Sequence, residues 1–187
     1  ALPMILGNIL QQCYNVVDTW VVGKFIGARA LAAVGSAFAL MTFLTSIILG
    51  LCMGSGIVFS VCFGKKDDEG LKDSLCASFF LTAAISLLLT AVSITCVDFI
   101  IKWMNIPHEI QEITRSYLLV VFSGIPAIFF YNFFAAYLKA VGNSVIPLVF
   151  LGVSTVLNIG LDLLFVAVLN RGAVGAAEAT IIAQYIS

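Results

Sequence analysis

Charged residues are scarce in this sequence, and none of them form a basic block. Asp, Glu, Lys and Arg make up 10% of the 187 residues, and the formal net charge is −1. Soluble domains carry about a quarter charged residues. A chain without a run of Lys or Arg lacks the positively charged surface that binds the phosphate backbone of a nucleic acid. We therefore expect no nucleic-acid partner.

Several motifs that would carry chemistry are also missing. The five cysteines are scattered through apolar runs without a C-x-x-C pair, which excludes a zinc site or a disulfide framework. There is no G-x-x-x-x-G-K-[ST] loop, so this chain should not hydrolyse ATP. No signal peptide is recognisable. Because the first residue is Ala1 and the last, Ser187, lies in a predicted helix, we expect a piece of a longer protein.

Long apolar runs are what the sequence has in abundance. Hydrophobic residues make up 61% of it and the mean hydropathy is +1.12. Each complete run exceeds the roughly 20 residues that cross a bilayer as a helix. We predict an all-α membrane protein, a six-helix transmembrane bundle in contact with lipid, with the sixth helix truncated. The predicted helices cover residues 2–26, 30–63, 71–104, 108–141, 145–169 and 176–187.

Polar side chains recur along one face of the first predicted helix. Gln12, Asn15 and Asp18 follow one another at intervals of three residues, which places them side by side on a helix. In a bilayer, such a stripe must face other helices or a water-filled cavity. Asn and Gln alone would favour simple helix–helix hydrogen bonding. The aspartate points to function instead, since a carboxylate inside a membrane is costly and a neutral one stores a proton.

The fifth predicted helix supplies a matching pair. Asn158 and Asp162 are four residues apart and share a helix face. Two aspartates on separate apolar helices, each near an asparagine, predict a shared polar cavity. Asn132 of the fourth helix could reach it, and Tyr131 is a further candidate, although such tyrosines more often serve packing. In addition, Pro126 and Pro3 should bend their helices, although Pro3 could instead only begin the first helix.

Four separated stretches together resemble the multidrug and toxic compound extrusion (MATE) family, in the family's order. They are ALPMILGNILQQCYNVVDTWVVGKFIGARALAAVG (1–35), FGKKDDEGL (63–71), YLKAVGNSVIPL (137–148) and LNIGLDLLFV (157–166). The resemblance covers essentially the whole chain. Lys139 departs from the pattern, because an arginine is commoner there. The branch that the sequence most resembles is the archaeal and bacterial one.

The resemblance implies a fold and a function. Family members have twelve helices in two six-helix lobes, so residues 1–187 would be most of the N-terminal lobe, with the C-terminal lobe as partner. The protein would be a multi-pass transporter of a prokaryotic plasma membrane that exports lipophilic, cationic compounds in exchange for H⁺ or Na⁺. No other cofactor and no enzymatic activity are implied.

The resemblance also assigns residues to the coupling site. Its cation or proton site would use, with Na⁺ as a possible bound ion, Asp18, Asn158, Asp162, Thr180 and the carbonyl of Ala176. Asn132 matches a further cavity residue. The other candidates for the substrate cavity are Gln12, Asn15 and Tyr131.

Three other classes of protein deserve comparison. An intramembrane aspartyl protease also uses two helix-borne aspartates, but its G-x-G-D motif is missing because Asp162 follows NIGL. A lipid-linked oligosaccharide flippase of the same superfamily should line its cavity with basic residues, whereas the buried charges predicted here are acidic. A structural membrane subunit without transport activity would tolerate loss of Asp18 and Asp162.

Overall fold

The computed structural model is built of helices. It describes residues 27–186 throughout, apart from the side chains of 28–30, and eight residues before them: Ile9, Val16, Val17, Thr19, Trp20, Val21, Gly23 and Lys24. Those eight are helical, and we call them the N-terminal segment. The predictions made for Pro3, Gln12, Asn15 and Asp18 lie outside the described residues.

Seven α-helices and one π-helical turn follow the N-terminal segment. They are α1 (Ala28–Gly64), α2 (Asp68–Thr95), α3 (Val97–Trp103), α4 (His108–Ser123), α5 (Ile125–Ala140), α6 (Val145–Asp162), the π-helical turn (Leu163–Val168) and α7 (Gly172–Ile186). Elements that follow one another without a loop form single spans, so the described residues make six helical segments. No strand occurs between residues 27 and 186.

Four of these spans are long and apolar enough to cross a membrane. They are Leu31–Gly64, Asp68–Thr95, His108–Ala140 and Val145–Val168. Large apolar side chains point away from the bundle along them; Phe80 is 71% exposed and Val156 73%. Such exposure suits a hydrocarbon solvent and not water. The predicted all-α membrane fold is confirmed.

Two predicted helices begin three or four residues earlier than expected. The helix predicted from residue 71 begins at Asp68, because the Asp67 carboxylate caps it by accepting the Gly70 N–H at 2.9 Å. The helix predicted from residue 176 begins at Gly172. Gly175, which precedes the predicted helix, lies inside α7, where the helix passes close to Phe165.

Two predicted helices are interrupted. The third breaks at Cys96, between α2 and α3. There the Thr95 hydroxyl donates to the Ala91 and Val92 carbonyls at 2.8 and 3.1 Å, a bond known to bend helices. The fourth breaks at Gly124, with Pro126 in the first turn of α5. Proline has no N–H to donate to the preceding turn.

Aromatic rings fill the core between α1, α2 and α5. Phe59 and Phe133 are fully buried and meet edge-on with centroids 5.8 Å apart. Phe79 of α2 joins them, 5.4 Å from Phe133. A second cluster connects the N-terminal segment to α7: Val21 packs with Val166 and Ala176 and is fully buried. This second cluster lies beside the polar residues described next.

Candidate coupling site

A polar seam runs between α6 and α7. Ser154, Asn158 and Asp162 are spaced four apart and therefore lie along one side of α6. All three are buried, and both Asn158 and Asp162 have no solvent exposure. These polar side chains are buried where α6 packs against α7.

Hydrogen bonds across the seam fix its register. The Ser154 hydroxyl donates to the Ala183 carbonyl at 2.9 Å. One turn further along α6, the Asn158 amide nitrogen donates to the Thr180 hydroxyl oxygen at 3.4 Å. Thr180 in turn donates to the carbonyl of Ala176 at 3.0 Å. The structure thus brings together Asn158, Thr180 and Ala176, and Asp162 lies one turn beyond Asn158.

Small residues let the two helices approach closely. The buried side of α7 consists mostly of alanine: Ala173, Ala176, Ala177, Ala179 and Ala183. A β-carbon at Gly175 would come within 3.2 Å of the Phe165 β-carbon. Short side chains bring the backbone carbonyls of α7 within reach of α6, as in the hydrogen bond from Ser154 to Ala183.

The seam offers oxygen atoms to a cation. The Asn158 carbonyl oxygen Oδ1 is buried and accepts no hydrogen bond from any residue that the structure describes. Thr180 contacts the same amide group, the Ala176 carbonyl accepts from Thr180, and Asp162 lies one turn further along α6. Hard cations such as Na⁺ prefer carboxylate, amide and carbonyl oxygens. No cluster of three His, Cys, Asp or Glu residues that could hold a metal ion occurs in the described part of the chain.

The backbone changes geometry directly after the carboxylate. Asp162 is the last residue of α6, and the following turn is π-helical, with Leu169 N–H bonded to the Leu164 carbonyl at 2.9 Å. π-Helical turns inside α-helices are frequent at functional sites. Sequence reasoning missed this turn, since LLFVAV is equally compatible with an α-helix.

An ion pair joins the residue that precedes α7 to the second turn of that helix. Arg171 Nη1 lies 2.5 Å from Glu178 Oε2. The Arg171 guanidinium also lies over the Phe165 ring, 5.8 Å from its centroid, and the Arg171 N–H donates to the Phe165 carbonyl at 2.9 Å. These contacts hold the connection between the π-helical turn and α7 in place.

Two further candidates, Asn132 and Tyr131, lie on the fourth predicted helix. Asn132 of α5 is half-buried, and its amide donates to the carbonyl of Ile128 on the same helix at 2.8 Å. Tyr131 donates to the Pro147 carbonyl at 3.2 Å. It lines an aromatic groove of about 250 Å³ between α5, α6 and α7, together with residues that include Phe130, Phe134, Phe150 and Tyr185. Asn158 and Asp162 are not among the lining residues of that groove.

The sequence is similar to those of proteins named as probable multidrug resistance proteins. The chain is 32% identical over 187 residues to the probable multidrug resistance protein YpnP of Bacillus subtilis, covering 100% of this chain and 42% of YpnP. It is 25% identical over 190 residues to the probable multidrug resistance protein NorM of Thermotoga maritima, covering 100% and 41%. The chain therefore spans about two-fifths of the length of these relatives.

Known structures agree with the sequence matches. A multidrug resistance MATE family transporter of the MOP superfamily, in its outward-facing conformation, superimposes with a TM-score of 0.90 at 29% identity, over 98% of this chain and 40% of that one. A crystal structure of MATE in the bent conformation gives a TM-score of 0.92 at 27% identity, over 100% and 41%. The MatE family model matches residues 3–164. This multi-pass protein of the prokaryotic cytoplasmic membrane belongs to the MatE family.

Proposed function

We propose that this chain forms most of the N-terminal lobe of a secondary antiporter. The complete protein exports lipophilic, cationic compounds in exchange for H⁺ or Na⁺, and the C-terminal lobe of the same protein completes the translocation pathway. The names of the relatives, which are multidrug resistance and multidrug export proteins, support export as the activity. Membrane lipid surrounds the lobe, and no catalytic step is required.

The burial of Asp162 carries this proposal. Its side chain has no exposure and lies in a span that is apolar enough to cross a membrane. Ionisable groups inside membranes are rare and mark ion pathways and proton relays. A group that only held two helices together could be neutral, as Ser154 is on the same side of α6. A carboxylate gives the seam a charge that an ion can neutralise.

Both candidate ions suit the seam. Na⁺ would bind to the oxygens of Asp162, Asn158, Thr180 and the Ala176 carbonyl. H⁺ would bind to the Asp162 carboxylate alone, with Asn158 and Thr180 as polar neighbours. We assign Asp18 to the same site, as the family resemblance implies; in sequence it precedes Val21 by three residues, and Val21 packs against Ala176.

Ion binding drives export by favouring one conformation. An ion that binds two states equally shifts no equilibrium, however tightly it binds. Neutralising Asp162 and Asp18 lets the N-terminal segment pack closer to α6, with Pro3 and Pro126 as bending points, and the cavity shrinks. The bound cation loses its counter-charge and leaves. Gln12, Asn15, Asn132 and Tyr131 contact the substrate, the aromatic ring of Tyr131 through cation–π attraction.

The test removes the charge without changing the shape. In the full-length transporter, Asp162→Asn should abolish efflux driven by an imposed H⁺ or Na⁺ gradient in proteoliposomes. Asn158→Ala should reduce coupled efflux less, because it removes a ligand and leaves the charge. Protein levels and membrane insertion should be largely unchanged for both.

A matched control shows whether the effect comes from the buried position or from the Asp-to-Asn change itself. Asp73→Asn makes the same change at an exposed position on α2 and should retain efflux. Full coupled transport by Asp162→Asn would overturn the proposal and would favour a structural role for the buried carboxylate.

A further inference from the structure

A second cavity, of about 500 Å³, lies where α3 is followed by α4. It is lined by Asp98, Lys102, His108, Gln111, Glu112 and Arg115, with Ile101 as its apolar base. The cavity shares no residue with the polar seam between α6 and α7. Both signs of charge therefore meet in one concave surface.

Contacts between the two helices shape this cavity. Arg115 Nε of α4 donates to Asp98 Oδ1 of α3 at 2.7 Å. This hydrogen bond, with the positive charges of Arg115 and Lys102, lowers the pKa of the Asp98 carboxyl, which therefore remains ionised. Gln111 Nε2 donates to the Ile106 carbonyl at 2.8 Å and holds the α3–α4 connection against α4.

The charges that remain have opposite signs. Asp98 and Arg115 neutralise each other, and Lys102 and Glu112 are left, both exposed. Arg115 still has N–H donors on its two Nη atoms, and Glu112 accepts hydrogen bonds only. A ligand that complements this surface carries an anionic group and a hydrogen-bonding cation a few atoms apart.

The surroundings of the cavity are those of a membrane interface. α3 lies between two membrane spans, after Thr95 and before His108. On α3, Phe99 is 70% exposed and Trp103 is 75% exposed, on either side of Lys102 in sequence. Aromatic side chains concentrate at the level of lipid headgroups, where one part of the ring is in hydrocarbon and another is wet.

We propose that this cavity binds the headgroup of a zwitterionic phospholipid that ends in a primary ammonium, as in phosphatidylethanolamine. The phosphate accepts hydrogen bonds from Lys102 and from the Nη atoms of Arg115. The ammonium donates to Glu112, and the acyl chains run along Phe99 and Trp103. A choline headgroup has no N–H to donate, so phosphatidylcholine binds more weakly.

The experiment compares the two lipids on the full-length protein. Phosphatidylethanolamine or phosphatidylcholine with identical acyl chains is titrated into detergent-solubilised protein, and bound lipid is counted by native mass spectrometry. Glu112→Gln and Lys102→Gln should each weaken phosphatidylethanolamine binding about tenfold, the loss expected for one hydrogen bond to a charged group. Glu112→Gln should leave phosphatidylcholine binding unchanged.

Matched variants and a soluble competitor make the proposal falsifiable. Glu109→Gln, on the same helix but outside the cavity, and Lys139→Gln, exposed at the end of α5, should bind phosphatidylethanolamine like the wild type. Equal affinity of the wild type for both lipids, or equal losses in the control variants, would overturn the proposal. So would competition by glycerophosphoethanolamine at the concentration of intact lipid, because the cavity would then hold a soluble headgroup without the membrane.

Discussion

Single residues decide how closely α6 and α7 approach. Asn158 reaches Thr180 only because the intervening side chains on α7 are short. The spacing of Asn158 and Asp162 predicts that they share a helix face, and both are fully buried. Helical spacing did not predict their partner on α7: Thr180 and Ala176 were identified from family resemblance alone. A contact between residues 22 apart depends on how two helices pack, which the period of one helix does not specify.

A substitution at Gly175 tests the close approach between α7 and the π-helical turn. Gly175→Ala would put a β-carbon 2.8 Å from that of Arg171 and 3.2 Å from that of Phe165. The start of α7 must then move away from the π-helical turn, and we expect a loss of about 1–3 kcal/mol in stability. The apparent melting temperature of the purified full-length protein in detergent should fall accordingly.

A second glycine provides the control. A β-carbon at Gly152 of α6 would meet nothing within 4 Å in the described part of the chain. Gly152→Ala should therefore be neutral, or stabilise the helix by about 0.5–1 kcal/mol. An unchanged melting temperature for Gly175→Ala would show that this residue does not set the distance between α7 and the π-helical turn.

At the scale of elements, helix ends follow local side-chain chemistry that the apolar pattern does not contain. α2 begins three residues before its apolar run because Asp67 caps it and Asp68 and Glu69 occupy its first turn. The charged stretch GKKDDEG indicated a loop, yet its second half is helical. The existence of the α2 span follows from hydropathy, whereas its first residue depends on one hydrogen bond.

Removing the cap should loosen the start of α2. Asp67→Ala deletes the acceptor of the Gly70 N–H and should cost about 1 kcal/mol. Hydrogen exchange of amides 68–72 should accelerate about fivefold, since 1.4 kcal/mol corresponds to a factor of ten. Asp67→Asn retains an acceptor and should exchange more like the wild type.

The control for this variant lies on the same helix. Asp73→Ala removes an exposed carboxylate beyond the first turn and should leave exchange at residues 68–72 unchanged. Equal acceleration in Asp73→Ala would mean that net charge, and not the cap, stabilises the end of the helix.

For the whole molecule, composition was sufficient to predict the environment but not the contacts. The apolar content predicted helices in a bilayer, and four spans meet that description. The pairing of Asp98 with Arg115, 17 residues away, required the tertiary fold, because α3 and α4 are brought together by the turn between them. Likewise, the apolar pattern does not predict the π-helical turn after Asp162.

A thermal experiment on the full-length protein tests whether the polar seam binds the proposed ion. A ligand that binds only the folded state stabilises it by about 2.7 kcal/mol at a hundred times its dissociation constant. The melting temperature of the full-length protein should therefore respond to the coupling ion, either to Na⁺ replacing K⁺ at fixed ionic strength or to a change in pH. We expect that response to disappear in Asp162→Asn and to persist in Asp73→Asn. Because the two variants lose the same charge, only binding at the seam distinguishes them. A response that survives Asp162→Asn would place the ion elsewhere in the protein.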